Sequence, residues 1–163
     1  MQYQLIQKST RHILIENQYL YSTATTHNRI IQKALDQCIL HKGLRLVVIT
    51  NEEYPDMNDE FDPSHLLYIY FMRECLYKTL HFMYNYLRKH QIPISRIHRQ
   101  VHVYTPIKGK YLREHQLPLF VHAKTLIVDH REALSGSTNV WDRSHTVGND
   151  IELSVHLRGP RVR

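Results

Sequence analysis

The chain has 163 residues, 42% of them apolar, and carries a formal charge of +6 from 21 basic and 15 acidic side chains, with thirteen histidines besides. That size fits one domain with a real core. It contains no apolar run of 18 residues that would cross a bilayer, and Met1 to Thr10 lack the charged-then-apolar layout of a signal peptide. The expected location is therefore cytoplasmic or peripheral to a membrane. The positive balance favours anionic partners (nucleic acid, phospholipid head groups, phosphate esters) without choosing among them.

In chain order, residues 2–8 are expected to close a short helix. Arg11 to Glu16 reads as a strand entering the core, and it ends in the polar stretch Glu16-Asn17-Gln18. Polar residues after a buried strand often sit at the functional edge of a sheet. Ser22 to Thr26 offers helix caps. Ile30, Ile31, Ala34, Leu35, Cys38 and Ile39 recur on one helical face, with Gly43 as the stop. Leu44 to Thr50 is the next strand, and the strand–helix–strand order predicts an α/β fold with locally parallel pairing.

Asn51 to Pro63 is acidic, broken by two prolines, and expected to be a loop. His65 to His90 reads as a long helix in which Lys78 supports Glu74 one turn away. Ile97 to Tyr104 is expected as a strand, followed by an irregular basic loop from Thr105 to Leu119. Phe120 to Asp129 and Arg131 to Ser135 are expected to pair around a turn at His130-Arg131, and Ile151 to His156 supplies a last strand. Cys38 and Cys75 fall within apolar helical patterns and read as structural.

The chemistry concentrates between His122 and Asn139. On a strand, His122 and Lys124 share one face, as do Ser137 and Asn139 if that segment is extended. An imidazole, an ammonium, a hydroxyl and an amide around one small volume suit phosphoryl chemistry. A phosphodiester is already negative, so attack on it needs positive charge nearby, which Lys124 can supply. Ser137 and Asn139 can donate hydrogen bonds, Gly136 leaves room for close backbone approach, and His122 can act as nucleophile or general acid. The sequence has no H-E-x-x-H, no C-x-x-C and no G-x-x-x-x-G-K-[ST], and no metal or other cofactor is expected.

His122, Lys124 and Asp129 stand as H-x-K-x4-D, and Gly136, Ser137 and Asn139 follow after six residues as G-S-x-N. This text resembles the HKD signature of the phospholipase D superfamily. The likeness runs through Trp141 to Ser144 and Asn149 to Glu152, and reaches back to Ile15-Glu16-Asn17-Gln18-Tyr19-Leu20, which resembles an element opening the second half of phospholipase D proper. The resemblance implies a mixed β-sheet flanked by helices, with residues 1–163 forming a single catalytic half-domain that lacks a terminal helix after Arg163. It implies that His122 is one of two histidines flanking the phosphorus, one forming a covalent phosphohistidine and the other protonating the leaving alcohol. Lys124 and Asn139 would bind phosphate oxygens, Ser137 would support the site, and Glu152 would orient an imidazole. Glu16 and Asn17 are expected at the substrate rim or behind the site. Asp129 lies at an odd-numbered offset from His122 and is assigned to structural pairing or turn stabilisation.

A single copy of the signature leaves half a site. The second H-x-K would come from the same parent chain or from a homodimer partner. Lipid-acting phospholipase D at a membrane surface, with phospholipid as substrate, is the favoured expectation. The alternatives are a homodimeric endonuclease acting on nucleic acid and a noncatalytic binding or assembly fragment.

Overall fold

The computed structural model describes residues 1–20, 29–51, 63–106, 120–140 and 151–160. The expected caps at Ser22 to Thr26, most of the acidic loop, the basic loop from residue 107 onward and residues 141–150 lie outside these. The elements run α1 (Gln2–Gln7), β1 (His12–Asn17), α2 (Arg29–Leu40), β2 (Arg45–Ile49), α3 (Pro63–Lys89), α4 (Ile94–Gln100), β3 (Val101–Tyr104), β4 (Lys124–Val128), β5 (Glu132–Gly136) and β6 (Ser154–Arg158).

The strands form one six-stranded sheet in the order β3-β2-β1-β4-β5-β6. β1, β2 and β3 are mutually parallel, because helices carry the chain back between them. β4, β5 and β6 continue the sheet with antiparallel pairing. The mixed α/β architecture expected from the sequence is the one observed.

The core lies on one face. β1 alternates, burying Ile13, Ile15 and Asn17 while His12, Leu14 and Glu16 stay half-exposed. Leu46 and Val48 of β2, Leu126 and Val128 of β4, and Leu134 of β5 continue the buried layer. Against it pack Leu5 and Ile6 of α1, Ile30, Ile31, Ala34, Leu35 and Cys38 of α2, and Leu76, Met83 and Leu87 of α3. Each fully buried branched side chain contributes about 1.5–3 kcal/mol through removal from water. Cys38 and Cys75 are both buried and form no disulfide, and burial pushes the Cys38 thiol up to about 12. The Lys78–Glu74 pair forms at 3.3 Å.

Several boundaries differ from the sequence expectation; β4 begins at Lys124 and not Phe120, and the hairpin turns one residue earlier than His130-Arg131. Residues 97–100 belong to helix α4, and the strand begins only at Val101. The helix wins because Ile97 and Gln100, one turn apart, are both buried, while Arg96 and Gln100 satisfy the orphan carbonyls at the end of α2. The last strand starts at Ser154, not Ile151.

The β4–β5 hairpin turns through Asp129 and His130, both at positive φ (52° and 57°), with the Arg131 amide donating to the Val128 carbonyl at 3.0 Å. Two consecutive positive φ values match the twist of the flanking strands. Asp129 tolerates this conformation because its carboxylate is anchored to the chain entering β1.

Candidate active site

The topology fixes where chemistry can gather. β1 and β2 end at one pole of the sheet. β4, being antiparallel to β1, starts there, β5 ends there and β6 starts there. That pole therefore collects Asn17 and Gln18, Thr50 and Asn51, His122 and Lys124, Gly136 to Asn139, and Glu152. The carboxyl ends of parallel strands commonly present such a crevice.

Lys124 is the first residue of β4 and pairs across the ladder with Asn17. Both continue the buried row of the sheet beyond Ile15 and Leu126. The Lys124 ammonium donates to Gln18 Oε1 at 2.6 Å and to the His122 carbonyl oxygen at 2.7 Å. Its side chain is thus folded back beside the His122 backbone. Burial lowers the Lys124 pKa from 10.5, and the nearby Glu152 carboxylate opposes that shift.

His122 precedes β4 and is exposed, so the histidine is not strand-borne as expected. The reason is Asn51. Its side-chain amide donates to the Val121 carbonyl oxygen at 2.9 Å, its Oδ1 accepts the Val121 amide at 2.8 Å, and it also donates to the Gln18 carbonyl oxygen at 3.1 Å. Val121 is held by a side chain in place of a neighbouring strand, and His122 is presented at the end of the sheet.

Asn17 is 2% exposed. Its Oδ1 accepts the Val140 amide at 3.0 Å and the Tyr19 amide at 3.3 Å, and its Nδ2 reaches the Thr138 carbonyl oxygen at 3.5 Å. It therefore tethers the segment carrying Thr138 to Val140, which also bridges to Leu20. Within that segment Asn139 has a covered Oδ1 with no hydrogen-bond partner among the described residues. A cavity of about 10 Å³, room for one water, lies between Gln2, Asn17, Lys124 and Val140.

Ser137 and Asn139 lie past the end of β5. Ser137 clamps the start of β6: its amide and hydroxyl donate to the Leu153 carbonyl oxygen at 2.9 and 3.3 Å, and its Oγ accepts the Leu153 amide at 2.9 Å. A methyl group on Gly136 would collide with the Leu153 carbonyl and with Ser154. The close approach that Gly136 permits is that of the chain's own backbone. Glu16 pairs with Thr125, which alternates away from Lys124, so Glu16 projects from the opposite face of the sheet.

Asp129 stands at the other pole. Its carboxylate accepts the amides of Thr10, Arg11 and His12 at 2.8–2.9 Å and the Thr10 hydroxyl at 3.2 Å. Two residues that sequence reasoning did not assign, Gln18 and Asn51, prove central to the geometry. Gln18 lay within the recognised polar element, and Asn51 directly follows a parallel strand, the position where site residues collect. Among the described residues no group of three or more His, Cys, Asp or Glu side chains is placed to hold a metal, and no helix is long and apolar enough to cross a membrane.

A mixed sheet with an H-x-K pair opening the strand beside β1, and G-S-x-N closing the next, defines the phospholipase D class of fold. The family described as "Cardiolipin synthase, PLD-like domain" matches residues 3–161, and the chain belongs to it. It is 26% identical over 171 residues to phospholipase D1 of Schizosaccharomyces pombe, covering 94% of this chain and 12% of that protein. It is 29% identical over 173 residues to phospholipase D zeta 1 of Arabidopsis thaliana, covering 93% of this chain and 15% of that protein. The chain thus spans about an eighth to a seventh of the length of these relatives. Among solved structures it resembles phosphatidylserine synthase of Haemophilus influenzae, with a TM-score of 0.61, 17% identity, and coverage of 97% of this chain and 31% of that one. That likeness is one of fold.

Proposed function

We propose that this chain is one half of a phospholipase D-type phosphodiesterase site acting on the head-group ester of a glycerophospholipid. The observation that carries the reading is the placement of Lys124, held by Gln18 Oε1 and the His122 carbonyl at the pole where His122 and Asn139 emerge. Those two bonds orient two of the three ammonium N–H groups, leaving the third for a nonbridging phosphoryl oxygen. Asn139 would bind a second oxygen, and Glu152, within electrostatic reach of Lys124, would orient an imidazole.

In the proposed reaction the imidazole nitrogen of one histidine attacks phosphorus. The P–O bond to the head group breaks, and the departing alkoxide takes a proton from the histidine of the second half. Water, deprotonated by that second histidine, then attacks phosphorus and breaks the P–N bond, releasing phosphatidic acid; an alcohol in its place would give transphosphatidylation. His122 fills one of the two histidine roles, and a second H-x-K from the parent chain or an identical subunit fills the other. The lipid substrate is supported by the matched family and by the two curated relatives, both phospholipases D.

The test is an assay of the chain, alone and with a polypeptide carrying a second H-x-K-x4-D, on phosphatidylcholine vesicles and on DNA. Choline release that requires both halves and is lost in His122→Ala supports the proposal. Metal-independent DNA cleavage by a homodimer without choline release would replace the lipid reading with the nucleic-acid one. No turnover of either substrate in the complemented site would leave a binding fragment.

A further inference from the structure

Helix α3 is far longer than the sheet it packs against. Its 27 residues span about 40 Å, whereas the five-residue strand β2 spans about 17 Å. Its buried side chains, Cys75, Leu76, Thr79, Met83 and Leu87, all lie at or after Cys75. The Tyr86 hydroxyl donates to Asp36 Oδ1 at 2.7 Å and accepts from Gln32 Nε2 at 3.4 Å, which docks this second half on α2. The chain then passes through α4 into β3. Because β3 is parallel to β2, it starts at the pole away from the candidate site. The first half of α3 therefore lies toward the pole where His122 and Lys124 emerge.

None of the described side chains of α3 before Cys75 is buried. Leu67 is 73% exposed, Tyr70 78% and Phe71 50%, and their spacing of three and four residues places them on one face. The charge beside this face is one-sided. Helix α3 carries Arg73, Lys78, Arg88 and Lys89 against a single carboxylate, Glu74, and Glu74 is paired with Lys78 at 3.3 Å. The Arg73 guanidinium lies over the Tyr77 ring, 5.9 Å from its centroid, so this cation sits against an aromatic ring one turn beyond the apolar face.

We propose that the first half of α3 docks this chain on a phospholipid bilayer, with Leu67, Tyr70 and Phe71 entering the head-group layer and Arg73 staying at the level of anionic phosphates. The inference rests on the lipid reading of the site given above. A leucine and two aromatic side chains flanked by cations partition to the membrane interface and do not span it. The excess of positive charge complements anionic head groups. The face also lies at the same pole as Lys124, so docking through it brings head-group phosphates toward the site that would attack them.

The test is sedimentation of the chain with vesicles of phosphatidylcholine containing phosphatidylserine. The double variant Leu67→Ser/Tyr70→Ser is expected to lose about tenfold or more in partitioning. Leu40→Ser, changing a side chain that is 68% exposed at the other end of the fold, is expected to stay within about twofold. All three side chains are exposed, and circular dichroism reports whether the fold is kept. In Tyr70→Trp, indole emission measured against the wild-type chain is expected to shift to the blue on vesicles and to be quenched by lipids brominated near the head group. In the complemented enzyme the double variant is expected to keep choline release from dispersed short-chain phosphatidylcholine and to lose about tenfold or more on vesicles. Absence of choline release from both substrates in the wild-type complemented enzyme would refute lipid hydrolysis, while sedimentation and quenching still decide the docking. Unchanged sedimentation of the double variant would overturn the proposal. So would unchanged sedimentation with weakened assembly onto the complementing polypeptide, which would make this face a protein interface.

Discussion

Asp129 and His12 hold each other across the end of the β1–β4 pair: the Asp129 amide donates to the His12 carbonyl oxygen at 2.9 Å, and Asp129 Oδ1 accepts the His12 amide at 2.8 Å. The same carboxylate takes the Thr10 and Arg11 amides, so one side chain caps the chain entering the central strand. The aspartate of the H-x-K-x4-D signature thereby registers β4 against β1 and fixes where Lys124 emerges at the other end of the strand.

Acid is expected to unfasten this end in two stages. Burial lowers the His12 imidazole below 6.5, helped by His130, Arg45 and Arg11 and opposed by Asp129. Its contribution to stability is complete above 6.5 and is lost as pH falls through the lowered native value. Burial alone would raise the Asp129 carboxyl, but the hydrogen bonds from His12, Thr10 and Arg11 outweigh it and hold it below 3.8. Its stabilisation is complete above 3.8 and is lost at still lower pH. Thermal melts are expected to decline from about pH 6.5 downward, and His12→Gln is expected to flatten that first stage. Asp129→Ala is expected to cost about 1–3 kcal/mol near neutral pH, because the three amides lose their acceptor. An unchanged melting profile in both variants would refute the assignment.

Gly136→Ala tests how β6 is held. The added methyl would meet the Leu153 carbonyl and Ser154, and both belong to backbone clamped by Ser137. Overpacking of this kind costs about 1–3 kcal/mol. The expected signature is local: hydrogen-exchange protection of Ser154 to Arg158 drops, while protection in β1 and β2 persists. Uniform loss across the sheet would mean that β6 is integral to the core and not an edge strand docked through this contact.

Much of this arrangement was legible in the sequence because it rests on periodicity and on one dense motif. The alternation of β1, the apolar face of α2 and the run from Leu44 to Thr50 each reflect a single buried face. The long-range hydrogen bonds were not legible. Residues 97–100 read as β-prone, yet Gln100 and Arg96 are needed at the end of α2, and that requirement is invisible until α2 and α4 are packed together. His122 and Lys124 were expected to share a strand face, but the Asn51 clamp on Val121 ends the ladder at Lys124. Glu16 and Asn17, adjacent in sequence, were grouped together; the two-residue period of the strand sends them to opposite faces.

Asn51→Ala is expected to separate positioning from chemistry. Its side chain replaces a strand partner for Val121 and reaches the Gln18 carbonyl as well, so removing it loosens both His122 and the residue that holds Lys124. In the complemented enzyme kcat is expected to fall about tenfold to a hundredfold with little change in KM, since misplacement harms attack more than binding. Stability should drop by about 1–3 kcal/mol from the buried Val121 amide and carbonyl left without partners. A KM effect with unchanged kcat would place Asn51 in substrate binding instead.

Substitution of His122 and Lys124 separates nucleophilic or acid chemistry from charge stabilisation in the proposed mechanism. His122→Ala removes the imidazole but leaves its carbonyl bond to Lys124 intact, so a loss of about 10²–10⁴-fold is expected with the fold preserved. Lys124→Ala removes the ammonium that Gln18 orients, and a loss of about 10²–10³-fold is expected from the unstabilised phosphoryl charge. Lys124→Arg keeps the charge, but its planar fork cannot reproduce the short contacts to both Gln18 Oε1 and the His122 carbonyl, so most of the loss should remain. Because both groups act on one phosphorus, the double variant is expected to be little worse than the more damaging single one. Strictly additive losses would mean that the two residues serve separate steps, and the composite phosphoryl site drawn around them would have to be abandoned.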